Sequence, residues 1–218
     1  MLKYLIICAH PDDETLGLGG TIKILNKKKA DISCLVFTEG ESAREKSLRR
    51  IKDRENQSKK ASKILGINQI QFLRYKDQQL DMVPVVELAQ KIELKIKKLK
   101  PKVVFTHFWG DVNQDHRKLF EATLIACRPT PSSSVKELIC YETPSSTEWG
   151  IESFNPNYFV DIDKELEIKI KAFKQYKNEI ATFPHPRSIK SITNRAAYWG
   201  SKVGIKNAEA FIKVRELI

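Results

Sequence analysis

The sequence lacks any run of about 20 consecutive apolar residues, the length that a membrane-spanning helix requires. It also lacks the architecture of a signal peptide, because Met1-Leu2-Lys3 leads straight into the apolar segment of the first predicted strand. These two absences exclude a membrane span and predict a cytoplasmic protein whose chain begins at its own first strand.

Cysteine is scarce and widely spaced. The four cysteines are Cys8, Cys34, Cys127 and Cys140, and they lie mostly within apolar segments. No Cys-x-x-Cys pair is present to form a structural zinc site, and the spacing does not indicate a dense disulfide framework. We therefore expect buried thiols.

Acidic residues are too few to balance the basic ones, because 27 Asp and Glu oppose 38 Lys and Arg and leave a net charge of +11. This charge is compatible with an attraction for anionic substrates, and it leaves a nucleic-acid-binding protein as one alternative. However, most of the cations are lysines on the polar faces of predicted helices, such as Lys91, Lys95 and Lys98. No arginine-rich block or nucleic-acid motif accompanies them, so we expect no nucleic-acid partner.

A glycine-rich phosphate loop is also missing. No Gly-x-Gly-x-x-Gly motif follows the first predicted strand, where a dinucleotide-binding domain would carry it. This absence counts against a second alternative, a non-catalytic Rossmann-like module that binds nucleotides.

Apolar segments typical of buried strands alternate with amphipathic helical segments along the chain. Strands are predicted at 5–8, 32–37, 70–73, 103–106, 138–141 and 158–161, with an edge strand at 211–215. Helices are predicted at 15–29, from about Glu45 to Leu65, at 84–100, 118–127 and 163–180, and from the break at 182–188 to about 202. The alternation predicts an α/β fold, a Rossmann-like three-layer sandwich in which a mainly parallel sheet carries helices on both faces. We expect a single domain over residues 1–218, which is compatible with a homo-oligomer.

The loop after the first predicted strand contains His10, Asp12 and Asp13. In open α/β sheets, ligands bind at the carboxyl ends of the strands, so these side chains emerge at the binding edge. An imidazole and two carboxylates this close together are costly to hold unless a cation or bound protons offset the repulsion. A divalent metal is the natural partner, and the alternative is a polar loop in which Asp12 or Asp13 caps the next helix.

A second polar loop at 106–117 follows the fourth predicted strand and contains His107 and His116. Right-handed crossovers place this strand beside the first one with the same polarity, so the two loops face each other. His10, Asp13 and one histidine of the second loop would provide three nitrogen and oxygen ligands and leave a zinc position open for water, as in catalytic zinc sites. The spacing alone does not choose between His107 and His116.

Three motifs carry a family resemblance, namely AHPDDETLGLGG at 9–20, FTEGE at 37–41 and DVNQDHR at 111–117. With them, the chain resembles the LmbE-like, PIG-L-type family of metal-dependent N-deacetylases. The segments YETPSSTEW at 141–149, FNPNYFVDI at 154–162, FPHPRS at 183–188 and AEAF at 208–211 are similar to a bacterial branch of that family. The resemblance therefore covers nearly the whole chain.

The resemblance implies that His10, Asp13 and His116 bind zinc and that Asp12 is the general base. Zinc lowers the pKa of its water toward about 7 and polarises the amide carbonyl, while a neighbouring carboxylate accepts the water proton. Fe²⁺ suits the same nitrogen and oxygen ligands, and its availability in the cell would decide between the two ions.

The third motif departs from the family pattern. Many members carry a histidine three residues before the third ligand, where it stabilises the oxyanion or protonates the leaving amine, but this sequence has Asn113. An amide can donate a hydrogen bond to an oxyanion but cannot act as an acid near neutral pH. We therefore assign the oxyanion to Asn113 and the proton transfer, or sugar binding, to His185, whose flanking prolines fix the local backbone. The alternative for His185 is a loop histidine that is hydrogen-bonded to the backbone, and His107 is the other histidine left for the acid role. Arg187 beside His185 is assigned to an anionic group of the substrate or to the oxyanion.

The residues and the resemblance together predict a zinc-dependent hydrolase. It would remove an acyl group, most often acetyl, from the 2-amino group of an N-acetylglucosamine-like sugar or its conjugate. A deacetylase of a thiol-glycoside or of a glycolipid is an alternative that the motifs do not separate. Glu41 is assigned to substrate binding, with a hydrogen bond to loop amides as the alternative.

Overall fold

The computed structural model describes residues 1–43 and 48–218. The strands are β1 (Lys3–Cys8), β2 (Asp31–Thr38), β3 (Gln69–Tyr75), β4 (Val103–His107), β5 (Glu137–Tyr141), β6 (Tyr158–Asp161) and β7 (Ala208–Glu216). They form one seven-stranded sheet in the order β3-β2-β1-β4-β5-β7-β6. Among these described strands, β7 alone runs against the others, because it pairs antiparallel with both β5 and β6 while the remaining pairs are parallel.

Helices cover both faces of this sheet. They are α1 (Asp13–Lys27), α2 (Leu48–Leu65), α3 (Val85–Leu99), α4 (Gln114–Ala126), α5 (Leu166–Phe173) and α6 (Ile189–Lys202). Apolar residues of α1, α2, α5 and α6 pack on one face, and those of α3 and α4 pack on the other. The predicted three-layer α/β fold is therefore confirmed.

Strand β1 lies in the interior of the sheet, between β2 and β4. Its side chains alternate between the two cores, since Ile6 and Cys8 pack on one face and Leu5 and Ile7 on the other. This double burial explains the continuous apolar run in the sequence. Because β1 and β4 are parallel neighbours, the polar loops that follow them meet at one edge.

Two helices begin earlier than predicted, and both changes affect the site. Helix α1 begins at Asp13, and α4 begins at Gln114 instead of about residue 118. Asn113 caps α4, because its side-chain oxygen accepts a hydrogen bond from the backbone N–H of Asp115 at 2.9 Å. Asp13 and His116 therefore lie in the first turns of two helices.

Other predicted boundaries were wrong or lie outside the described residues. The helix predicted at 163–180 is limited to Leu166–Phe173, and the strand predicted at the edge lies inside the sheet as β7. The predicted start of the second helix near Glu45 is outside the described residues. All four cysteines are free and buried, as expected. Among the helices within residues 1–43 and 48–218, none is long and apolar enough to cross a membrane.

Candidate active site

Two histidines and an aspartate meet where β1 and β4 end. His10 lies in the loop after β1, Asp13 in the first turn of α1 and His116 in the first turn of α4. One donor atom from each lies within 4.8 Å of the other two, and all three residues are buried. The Nδ1 atom of His10 is 3.2 Å from Nε2 of His116 and 3.5 Å from Oδ2 of Asp13. We call these three residues the ligand cluster.

The chemistry of the ligand cluster fits a divalent cation. Within the described residues, the buried Oδ1 of Asp13 has no hydrogen-bond partner, and it lies 3.7 Å from Nε2 of His116. Two imidazole nitrogens at 3.2 Å need a proton or a cation between them, since their lone pairs repel. Two imidazoles and one carboxylate are a donor set of catalytic zinc sites, and the same donors suit Fe²⁺.

The neighbouring histidines keep the aspartate of the cluster ionised. Burial alone would raise the pKa of Asp13, but these neighbours, chiefly His116, lower it well below its usual range. Burial would likewise lower the pKa of His10, but contacts with carboxylates, chiefly that of Asp115, raise it well above its usual value. The cluster therefore favours positive charge beside its carboxylate, a condition that a bound cation satisfies.

Asp111 fixes the direction of the His116 ring. Its Oδ2 lies 3.1 Å from Nδ1 of His116, so Nε2 is turned toward His10 and Asp13. The same carboxylate accepts a hydrogen bond from the hydroxyl of Thr147 at 2.7 Å and another from the hydroxyl of Ser146. A carboxylate on the far nitrogen is the usual outer partner of a metal-binding histidine.

His107, the other histidine of the second loop, is buried beside the cluster. Its Nε2 accepts a hydrogen bond from the backbone N–H of Ala9 at 2.9 Å and lies 3.3 Å from Oδ2 of Asp13. Its ring stacks on that of His116 with 3.9 Å between centroids. Burial lowers the pKa of His107 to about 4, so the ring is neutral near pH 7. The structure thus places His116 in the ligand cluster and His107 against it.

The second nitrogen of His10 faces another pair of carboxylates. Its Nε2 lies 3.0 Å from Oδ1 of Asp77 and 3.3 Å from Oδ2 of Asp115. These three residues form a second set of potential metal ligands that shares His10 with the first. Asp115 also accepts the backbone N–H groups of Gln78 and Leu80 at 2.8 and 3.0 Å, so it ties that loop to the start of α4.

Asp12 precedes α1 with a φ of +131°, a conformation that L residues rarely adopt. Strain of this kind persists only where neighbouring contacts hold it in place. The buried Oδ2 of Asp12 lies 3.0 Å from Nη2 of Arg54 and 3.2 Å from Nη1 of Arg187. Within the described residues, Oδ1 has no hydrogen-bond partner. One oxygen is thus anchored and the other is available.

Glu179 closes a ring of charges with these three residues. Its carboxylate accepts a hydrogen bond from Arg54 and another from Arg187, so each arginine bridges Glu179 and Asp12. We call these four residues the charge ring. Burial raises the pKa of Asp12 to about 6, although the charges of Arg187 and Arg54 oppose the change. A carboxylate with such a pKa can exchange a proton near neutral pH.

A polar cleft of about 430 Å³ opens over this region, and His10, Asn113, His185 and Arg187 all line it. His185 is exposed, and its Nδ1 accepts the backbone N–H of Arg187 at 3.1 Å. Asn113 uses its side-chain oxygen to cap α4, which leaves its NH₂ group as the donor. Glu41 is buried with Oε1 3.5 Å from Nη1 of Arg54. Arg187 thus belongs to both the cleft and the charge ring, and Glu41 contacts the ring through Arg54.

Sequence reasoning missed Asp111, Arg54 and Glu179. Asp111 begins the third motif, but its role depends on hydroxyls from the loop that follows β5. Arg54 lies in a charged helix and Glu179 follows a short one, where no local pattern distinguishes them from solvated surface charges.

Comparison with known sequences identifies the family. A family model described as "PIG-L: GlcNAc-PI de-N-acetylase" matches residues 5–127. The chain belongs to this PIG-L family. Its relatives include the uncharacterized deacetylase YaiS of Escherichia coli, which is 33% identical over 182 residues covering 80% of this chain and 90% of that protein. The diacetylchitobiose deacetylase of Thermococcus kodakarensis is 28% identical over 228 residues covering 95% of this chain and 81% of that protein.

A solved structure shares the fold of this chain. The crystal structure of the conserved protein TT1542 from Thermus thermophilus superposes with a TM-score of 0.81 and 25% identity, covering 100% of this chain and 97% of that chain. In this PIG-L protein, the ligand cluster lies within the family match at 5–127. The wall of the cleft that includes His185 and Arg187 lies outside that match.

Proposed function

We propose that this PIG-L protein is a metal-dependent hydrolase that removes the acetyl group from the 2-acetamido group of an N-acetylglucosamine-like sugar or its conjugate. One domain over residues 1–218 would carry the activity. The observation behind the proposal is that Asp12, with one anchored and one available oxygen, is next to Asp13 of the ligand cluster, and that His10 of this cluster lines a polar cleft. The related diacetylchitobiose deacetylase supports an amino sugar as the substrate class.

His10, Asp13 and His116 would hold the metal, with Zn²⁺ as the proposed ion and Fe²⁺ as a second ion that these donors suit. A cation bound there supplies Lewis-acid polarisation of the amide carbonyl and makes a water molecule more acidic. Asp111 would keep Nε2 of His116 turned toward the cluster, so that the ligands are oriented before the metal binds.

Asp12 would accept the proton of the attacking water through Oδ1. Arg54 and Arg187 hold the other oxygen, so the proton acceptor has a fixed direction. A pKa of about 6 suits a base that works near neutral pH, whereas the lowered pKa of Asp13 suits a metal ligand. These adjacent carboxylates would therefore have different roles because their environments differ.

The cleft residues would bind the sugar and complete the proton transfer. The NH₂ group of Asn113 would donate to the developing oxyanion. His185 would protonate the leaving amine or bind a sugar hydroxyl, since it is exposed in the cleft. Arg187, a member of the charge ring that also lines the cleft, would contribute to substrate binding, as would Glu41, which contacts the ring through Arg54.

The test is an assay of amine release by purified protein with added Zn²⁺. The panel contains N-acetylglucosamine, N,N′-diacetylchitobiose, a thiol-glycoside of N-acetylglucosamine and an N-acetylglucosaminyl phospholipid. We expect amine release from at least one compound, its loss after chelation and its return with Zn²⁺. Release from none of them, or release that survives chelation, would contradict the proposal, and the preferred compound separates a free glycan from a thiol-glycoside or a glycolipid.

A further inference from the structure

Trp149 presents a large aromatic surface at the cleft. It lines the cleft with 56% of its surface exposed, although burial of an indole is strongly favoured. The other two tryptophans are engaged by carboxylates, since the indole N–H of Trp109 donates to Glu152 at 2.5 Å and that of Trp199 donates to Glu142 at 2.6 Å. Trp149 therefore stands out as an apolar surface in a cleft with polar walls.

The backbone that carries Trp149 is firmly held. Thr147, two residues earlier, binds Asp111 through its hydroxyl at 2.7 Å. Glu148 accepts the backbone N–H groups of Ser145 and Ser146, both at 3.0 Å, and its carboxylate pairs with Arg195 at 2.9 Å. Because Asp111 also orients His116, the position of Trp149 is fixed relative to the ligand cluster.

The neighbours of Trp149 suit a sugar ring. His185 meets the indole edge-on at 6.2 Å and an interplanar angle of 85°. Asn113, Ser145 and Arg187 line the same cleft with polar groups. A pyranose ring has an apolar C–H face and a rim of hydroxyls, so it can place its face on an aromatic ring while its rim meets polar groups.

We propose that Trp149 is the stacking platform of a second sugar subsite, adjacent to the subsite of the N-acetylglucosamine unit that is deacetylated. The inference rests on the proposed function, because that function places the first sugar at the ligand cluster. The preferred substrate is then a disaccharide or longer N-acetylated glycan, and a monosaccharide leaves the Trp149 surface uncovered. Trp149 lies outside the family match at 5–127, so this subsite is a property of the C-terminal part of the chain.

The kinetic test compares kcat/KM for N,N′-diacetylchitobiose with that for N-acetylglucosamine. Trp149→Ala is expected to lower the ratio of disaccharide to monosaccharide kcat/KM by about 10-fold, chiefly because KM for the disaccharide rises. Trp149→Phe keeps an aromatic ring and is expected to retain most of the wild-type ratio. Tyr198→Ala is the matched control, because Tyr198 is similarly exposed at 52% and lines a separate groove. A ratio in Trp149→Ala equal to that of the wild type would overturn the proposal.

A binding measurement separates this proposal from the proposed function. Tryptophan emission is recorded while N,N′-diacetylchitobiose is added to metal-loaded Asp12→Asn protein, which should bind the disaccharide without turning it over. We expect a change in emission that N-acetylglucosamine does not produce and that disappears in Asp12→Asn/Trp149→Phe. Persistence of the full change in the double variant, or its absence from the single variant, overturns the subsite. Failure of the wild type to release amine while the Trp149-dependent change remains refutes only the deacetylase function.

Discussion

Replacement of Asp111 by asparagine should weaken metal binding, although Asp111 is not one of the proposed ligands. The carboxylate lies 3.1 Å from Nδ1 of His116, and its charge makes that ring a stronger donor through Nε2. Asparagine has nearly the same size but no charge. In the wild type, the backbone N–H of Asn113 and the hydroxyl of Thr147 donate to the carboxylate at 2.8 and 2.7 Å. An asparagine amide has one acceptor oxygen in place of two, so it cannot accept both bonds in the same geometry.

The expected magnitude follows from the number of contacts that change. Loss of an outer partner of a metal-binding histidine typically lowers metal affinity by about 10- to 100-fold, which corresponds to about 1.4 to 2.7 kcal/mol. Asp111 is 1% exposed, so water cannot replace the lost contacts easily. We therefore expect a decrease near the upper end of this range.

Competition with a chromophoric chelator at fixed pH measures this effect as the Kd for Zn²⁺. Asp163→Asn is the matched control, because Asp163 is a partly exposed residue that pairs with Lys206 at 3.4 Å. Thermal unfolding of the metal-free proteins checks that Asp111→Asn still folds. A Zn²⁺ affinity of Asp111→Asn within about twofold of the wild type would refute the orienting role of Asp111.

Three further variants test the base, the acid and the charge ring. Asp12→Asn should retain metal while kcat falls by about 10²- to 10⁴-fold, and a near-normal kcat would show that Asp12 is not the base. His185→Ala should lower kcat and flatten the alkaline limb of the pH profile, because a general acid is lost as rising pH removes its proton; an unchanged limb rejects the acid role. Glu179→Gln should lower the free energy of unfolding by about 3 kcal/mol in urea, since its two arginine partners lose a shared carboxylate. Partial recovery in Glu179→Asp is expected, and an unchanged urea midpoint would contradict the contribution of the ring to stability.

The central part of the sheet could be predicted because its signals are local. The apolar run of β1 is buried on both faces, and alternation with amphipathic helices indicates parallel strands. The position of β7 could not be predicted in the same way. Its last residues, Lys213–Glu216, alternate between half-buried and exposed as an edge strand does, whereas Ala208–Ile212 are buried between β5 and β6. Strand order depends on distant pairing, which local alternation does not encode.

The helix predicted at 163–180 is shorter in the structure because tertiary contacts, and not helical periodicity, determine the conformation of its second half. Its apolar spacing continues to Ile180, but α5 ends at Phe173. The residues beyond it serve the site instead, since the hydroxyl of Tyr176 donates to Glu14 at 2.6 Å and Glu179 binds two arginines. A regular helix would place these side chains differently, and the sequence pattern carries no sign of their buried partners.

Some of the candidate site could likewise be predicted from the sequence, and some could not. His10 and Asp13 are close in sequence, and the order of strands β1 and β4 was enough to predict that a histidine of the second loop would approach them. The choice of His116 over His107 required the family resemblance, because both follow the same strand. The charge ring joins residues from three separate segments, namely the loop after β1, helix α2 and the connection between α5 and α6, so only the folded chain reveals it.

Elemental analysis of the purified protein tests the central claim most directly, namely that His10, Asp13 and His116 form a metal centre. The wild type and the Asp163→Asn control should each hold about one divalent ion per chain, because one set of three ligands is expected to bind one ion. Asp13→Ala and His116→Ala should each lose the ion while their circular dichroism remains that of the folded protein. Full metal occupancy in both of these variants would contradict the claim.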